Sequence, residues 1–145
     1  MKPKIFISHS PEQTIRFAES FAGNLKAGDV VALEGELGSG KTTFIKGLAL
    51  GLGIKNSGEV KSPTFALMHV YETRIPLYHF DLYRLETIKE IEAIGFAEFL
   101  DSRSAVTCVE WASKAGKLLP GWAIKIKLSA GAGEERRIEY PPGVL

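Results

Sequence analysis

An apolar run, Val30-Val31-Ala32-Leu33, passes through Glu34 into Gly35-Glu36-Leu37-Gly38-Ser39-Gly40-Lys41-Thr42, and an apolar pattern of helical period follows. The segment matches G-x-x-x-x-G-K-[ST] at every position, with a strand before it and a helix after it. A buried strand that hands its chain to a helix through a glycine loop belongs to an α/β sheet protein. The residue types have separate jobs. Gly38 and Gly40 let the backbone turn tightly and approach an anion with no Cβ in the way. The loop N–H groups and the helix N-terminus form an anion nest. Lys41 reaches β- and γ-phosphates, and the Thr42 hydroxyl is placed to ligate magnesium. Thr43 adds a phosphate contact through its N–H or hydroxyl. The candidate nucleotide-binding residues are Leu37, Gly38, Ser39, Gly40, Lys41, Thr42 and Thr43. The bland alternative is a strand-to-helix turn that matches by chance.

Magnesium needs more than a threonine, and such loops are usually joined by an acid at the end of an apolar strand. Val106-Thr107-Cys108-Val109-Glu110 has that form. Glu110 is therefore the candidate metal residue beside Thr42, directly or through water; otherwise it is a solvated strand-end glutamate. Hydrolysis needs a group that orients or deprotonates water. Asp81, in His79-Phe80-Asp81-Leu82-Tyr83-Arg84, ends a strand and is the candidate catalytic residue. Its other reading is a cap for the following turn. Arg84 reads as a surface charge before it reads as an anion contact. His69 and His79 show no metal-ligand spacing and read as structural. Trp111 reads as core before it reads as a site or partner residue, and Cys108 as a small buried side chain. Lys125, Lys127, Arg136 and Arg137 read as a solvated face, with a modest patch for RNA or an acidic partner as the alternative.

The rest of the chain surrounds this motif with alternating elements. A short strand over Lys4–Ile7 precedes a helix opened by Ser10, Pro11 and Gln13, a capping arrangement. The loop helix runs from Lys41 to about Leu52 and stops at Gly53. Phe65–Tyr71 and Ile75–Asp81 read as an antiparallel hairpin around Thr73-Arg74. Thr87 and Glu90 form a second capping box, with the helix ending near Gly95 and one more helical turn over Phe96–Leu100. Ala105–Val109 is a strand, and Trp122–Leu128 with Arg136–Tyr140 is a closing hairpin. Helices alternate with strands early and hairpins come late, so the fold class is an α/β sandwich of the P-loop NTPase kind with a mixed parallel and antiparallel sheet. The 145 residues make one domain, 1–145, with 45% apolar and 24% charged residues. A net charge of +1 lacks the basic excess of a protein that grips nucleic acid unaided. One cysteine permits no internal disulfide, and no run is apolar enough for a bilayer or a leader peptide, so the expected setting is cytoplasmic, without membrane contact.

Four blocks in one order, Gly35 to Thr43, Val60-Lys61-Ser62-Pro63-Thr64-Phe65, Tyr78 to Arg84, and Val109-Glu110-Trp111, resemble the bacterial TsaE (YjeE) family. The resemblance runs from the first helix to Leu119-Pro120. The phosphate loop is shared with many families; the other three blocks are more specific. The resemblance implies an ATPase, dependent on magnesium and slow alone, that serves the threonylcarbamoyladenosine modification of tRNA beside the anticodon. It implies as partners the threonylcarbamoyl-transferase complex of that pathway, with tRNA contacted only through the complex. It places Lys41, Thr42 and Thr43 at phosphate and metal, Glu110 at the metal, and Asp81 in hydrolysis. It makes Ser62-Pro63-Thr64 a switch-like loop facing the nucleotide and sets Ser10–Gln13 near the adenine. Many members have Asp at Glu36, Ala at Ser39 and Pro at Ala112; the last departure bears on the shape of the Trp111 loop.

Two other functions compete. A small-molecule kinase needs a lid bearing several arginines, and between the loop and Glu110 only Arg74, Arg84 and Arg103 occur, well apart. A GTP switch needs Asn-Lys-x-Asp and Asp-x-x-Gly, and none of Asp29, Asp81 and Asp101 belongs to either pattern. If Lys41 is the phosphate cation, Lys41→Ala loses a charge-assisted contact of about 1.5–3 kcal/mol. Calorimetry is expected to show ATP affinity down roughly tenfold or more in a folded variant; unchanged affinity would refute the loop assignment.

Overall fold

The computed structural model describes residues 2–145. Seven strands form one sheet: β1 (Lys4–Ser8), β2 (Val30–Glu34), β3 (Met68–Tyr71), β4 (Leu77–Asp81), β5 (Val106–Glu110), β6 (Ile124–Ala130) and β7 (Arg136–Tyr140). Four α-helices cover it: α1 (Pro11–Ala22), α2 (Lys41–Gly51), α3 (Ile88–Ala93) and α4 (Phe96–Ser102). The strand order is β1-β7-β6-β2-β5-β4-β3. The pairs β6/β2, β2/β5 and β5/β4 are parallel, while β3/β4, β6/β7 and β7/β1 are antiparallel. The sheet is therefore mixed, with its parallel part in the middle, where crossover helices can cover both faces.

Alternation along each strand splits the core into two layers. Val31, Leu33, Val106, Cys108, Ile126 and Leu128 face α1 and α2. Val30, Ala32, Phe80 and Val109 face α3, α4 and the 3₁₀ segment Ala112–Leu118. The caps form as the side chains dictate. Ser10 Oγ accepts from the Gln13 amide at 3.1 Å, and Gln13 reaches back to the His9 amide rather than to Ser10. Thr87 and Glu90 make the complete reciprocal box.

Several strand boundaries differ from the sequence reading by a residue or more, and the causes are plain at two strand starts. The hairpin strand starts at Met68, not Phe65, because Pro63 to Leu67 make a turn closed by the Leu67 amide on the Pro63 carbonyl, with Leu67 at φ 70°. Phe65 is left 85% exposed on that turn. The closing hairpin starts at Ile124; Trp122 sits outside it in a turn closed by the Ala123 amide on the Pro120 carbonyl, with the Arg103 guanidinium 4.6 Å over its ring. Among the described residues no helix is long and apolar enough to cross a membrane.

The position of α2 is set by α1, and glycine makes the contact possible. A Cβ on Gly47 would lie 2.5 Å from Ala18 Cβ and against the Ile15 carbonyl. One turn on, a Cβ on Gly51 would lie 2.5 Å from Ala22 Cβ and 2.7 Å from the Glu19 carbonyl. Small residues on both helices thus let the backbones meet. Gly47→Ala should lower stability by about 1–3 kcal/mol through overpacking, although alanine alone favours a helix by about 1 kcal/mol. Urea denaturation measures the sign; a gain in stability would show that α1 moves away freely.

Candidate functional site

The glycine loop lies where β2 ends and α2 begins. Gly38 takes φ 80°, and Gly40, immediately before α2, takes φ 102°. Both are left-handed values that other residues resist. The first turn of α2 therefore opens with its amides free of side-chain caps, toward a cleft of about 360 Å³. Gly38, Gly40, Lys41, Thr42 and Thr43 line that cleft, with Leu37 69% exposed at its rim. Ser39 behaves differently. Its side chain turns inward, its hydroxyl has no hydrogen-bond partner among the described residues, and its amide donates to the Glu36 carbonyl at 3.1 Å.

Lys41 is 5% exposed. Its ammonium donates to the Gly35 carbonyl and, at 3.0 Å, to the Glu36 carbonyl, and it sits 4.4 Å from the centre of the Trp111 ring. Burial holds it below the usual lysine range, against the opposing pull of Glu110, Asp81, Glu34 and Glu36.

The two acids arrive from neighbouring parallel strands, in register with each other at the ends of β4 and β5. Asp81 is buried. Its Oδ2 accepts from Ser62 and Thr64 hydroxyls, each at 2.8 Å, and its Oδ1 from the Tyr83 amide at 2.9 Å. It thus caps the following turn and also faces the cleft, holding the Ser62-Pro63-Thr64 loop against its wall. Glu110 is buried too. Its carboxylate accepts from the Thr42 hydroxyl at 3.2 and 3.3 Å, and His79 Nε2 lies 2.6 Å away.

The hydroxyl of Thr42 and the carboxylate of Glu110 are hard oxygen donors beside the glycine loop. Magnesium takes one or two carboxylates and completes its shell with phosphate oxygens and water, so this donor set fits it. A zinc site would need more nitrogen or sulfur ligands, and among the described residues no cluster of three or more His, Cys, Asp or Glu forms.

The structure thus gathers every candidate except the Ser39 side chain into one cleft. The structure adds detail to the sequence reading at four other residues. Trp111 serves both core and cleft: half-buried, it packs against the core layer of α3 and α4, and at φ 57° it forms the cleft wall with Tyr83, ring centres 5.0 Å apart. His79 is buried, yet its partner is the Glu110 carboxylate. Arg136 and Arg137 do not share a face. Arg136 lines the cleft, with Nη1 held by the Gly133 and Glu135 carbonyls, while Arg137 pairs with Glu139 at 3.4 Å outside. A period of two would have separated the arginines. His79 lies two residues before Asp81 and so shares its face, but its partner follows only from the β4/β5 register. Arg84 packs over Phe65, 5.0 Å from the ring centre, and is not among the residues lining the cleft.

The sequence model described as threonylcarbamoyl adenosine biosynthesis protein TsaE matches residues 8–138. The chain belongs to the TsaE family. It is 40% identical over 132 residues to the tRNA threonylcarbamoyladenosine biosynthesis protein TsaE of Treponema pallidum, covering 91% of this chain and 96% of that one. The protein of the same name from Bacillus subtilis is 42% identical over 132 residues, covering 90% and 80%. A crystal structure of Bacillus subtilis YdiB superposes with a TM-score of 0.80 at 36% identity, over 96% of this chain and 84% of that one.

Because burial lowers its proton affinity, Lys41 binds protons more weakly folded than unfolded, and stability rises with pH between the lowered value and the ordinary 10.5. Lys41→Met is therefore expected to melt higher than the parent at neutral pH, with the gap closing as pH climbs toward 10. Paired thermal unfolding measures this; a less stable variant at neutral pH would mean the loop carbonyls and Trp111 outweigh burial.

Proposed function

We propose that this protein is a magnesium-dependent ATPase subunit that binds ATP, hydrolyses it slowly alone, and serves threonylcarbamoyladenosine modification of tRNA by acting on the threonylcarbamoyl-transferase complex. The observation that carries the proposal is the meeting of Lys41, Thr42, Glu110 and Asp81 in one cleft with the glycine loop. The loop amides and Lys41 bind the triphosphate. Thr42 and Glu110 hold magnesium, which when bound neutralises charge on the β- and γ-phosphates. Asp81 orients the attacking water. Its engagement by two hydroxyls and an amide fits slow turnover, because a carboxylate oxygen must release one of these donors before it takes the attacking water.

The same contact supports the partner role. Ser62 and Thr64 tie a loop carrying the exposed Phe65 to the acid, so a change at the γ-phosphate moves a surface that another protein can read. A net charge of +1 favours tRNA contact through the complex. The setting is the cytoplasm.

Asp81→Asn should leave ATP affinity nearly intact and lower hydrolysis by about two orders of magnitude, the size usual for a lost base. The parent should turn over faster when the pathway's partner proteins are added, and bind them more tightly with ATP than with ADP. Calorimetry and phosphate-release assays test both. Normal hydrolysis by Asp81→Asn would reduce Asp81 to a turn cap, and brisk turnover indifferent to partners would remove the subunit role.

A further inference from the structure

We infer that His79 is a positioning residue that anchors the Glu110 carboxylate from beneath, so that the oxygens of Glu110 are presented to a divalent cation at Thr42. The inference rests on the proposal that Glu110 serves magnesium, and it assigns to β4 a task that the phosphate loop does not perform.

Three distances decide which neighbour holds Glu110. His79 Nε2 stands 2.6 Å from Oε2, while the Thr42 hydroxyl stands 3.2 Å from Oε2 and 3.3 Å from Oε1. Bonds from a ring N–H to a carboxylate cluster at about 2.7–2.9 Å, and those from a hydroxyl at about 2.5–2.7 Å. The histidine contact is therefore tight, and the threonine contact is long and shared between two oxygens. A weak, bifurcated contact yields to an incoming ligand at little cost. The tight one persists, and its donor is on the strand beside Glu110, not on the helix that carries Thr42.

The bonding also fixes the ring. An ionised carboxylate only accepts, so the nitrogen facing it carries the hydrogen. Nδ1, on the far side of the ring, is buried with no hydrogen-bond partner among the described residues. A histidine kept only to fill space would be free to offer either nitrogen. This one leaves a polar atom unpartnered in order to aim the other at Glu110. The strand geometry makes the aim possible. His79 pairs in register with Cys108 and Asp81 with Glu110, so all four side chains share one face, with His79 diagonal to Glu110. Cys108 occupies the place directly across from the ring, buried, its thiol donating to the Tyr78 carbonyl at 3.5 Å. The Tyr71 ring flanks the imidazole on β3, centres 6.2 Å apart.

The experiment is ADP binding by the full chain, measured calorimetrically over a range of magnesium concentrations, with thermal unfolding to establish that each variant is folded. In His79→Ala, the magnesium concentration that half-maximally tightens ADP binding should rise about tenfold or more, the usual cost of losing a partner that orients a metal ligand. Affinity without magnesium should stay at the parent's level. His79→Gln, whose amide nitrogen reaches the place of Nε2, should restore most of the magnesium response. If the alanine variant unfolds, His79→Asn replaces it, since its amide stops short of Glu110. Glu110→Gln is the control and should lose the magnesium response. A folded His79→Ala with the parent's magnesium requirement, alongside a defective Glu110→Gln, overturns this inference alone. Equal loss of affinity with and without magnesium, or failure of His79→Gln to restore it, makes the histidine structural and overturns it as well. An intact magnesium response in Glu110→Gln removes the metal role of Glu110 and this inference together.

Discussion

Two helices that touch backbone to backbone hold the cleft in shape. Where α1 crosses α2, Gly47 and Gly51 face Ile15, Ala18, Glu19 and Ala22 with no side chain between them. The first turn of α2 carries Lys41, Thr42 and Thr43, and the first turns of α1 carry Pro11 and Thr14 on the wall of the same cleft. Any displacement of α2 moves Thr42 relative to Glu110, which belongs to the sheet. The separation of hydroxyl and carboxylate is thus set by a helix contact that starts about one and a half turns farther along α2. Close packing transmits such displacements because an interior at crystal-like density has little slack to absorb them.

Electrostatics explains why the acids stand where they do. Four carboxylates, those of Glu110, Asp81, Glu34 and Glu36, oppose the cost of burying Lys41. The first three have their own hydrogen-bond donors. Glu34 accepts from the Ser113 amide, Asp81 from the turn and the Ser62–Thr64 loop, and Glu110 from His79 and Thr42. Buried charges are tolerated when partnered in this way. The result is a pocket with a cation at the loop and anions at the strand ends, the polarity needed to hold a phosphate next to a divalent cation.

Much of this was legible in the chain. The strand, glycine loop and helix were fixed by an unbroken motif, and the capping residues Ser10 and Thr87 opened helices because their side chains satisfy amides locally. The mixed sheet followed from the order of helices and hairpins. Glu110 and Asp81 stood out as acids at the ends of apolar strands, although each also had a bland reading, a solvated strand end for Glu110 and a turn cap for Asp81. What stayed hidden depended on register or on crossing. The partner of His79 follows from the pairing of β4 with β5, and no local pattern encodes that pairing. Trp111 looked like core because large aromatics usually are, and it packs there, yet its left-handed backbone after β5 also turned its ring to the cleft. Phe65 looked like strand by composition, and the turn from Pro63 to Leu67 overrode it.

The strand order has a consequence for how the protein is made. β2 stands between β6 and β5, and β1 pairs only with β7. During synthesis the glycine loop leaves the ribosome early, but the strand that supports it has no neighbour until Val106 and then Ile124 have emerged. Until then Val30 to Leu33, an apolar strand with both edges open, has nothing in the sheet to pair with, the kind of exposure that recruits chaperones. Contacts this distant along the chain also slow the search for the native pairing. A nascent chain that stalls before β6 would carry the full phosphate motif without the sheet that gives it shape. The cleft is thus completed last, when β6 and β7 have added the closing strands and Arg136 to its wall.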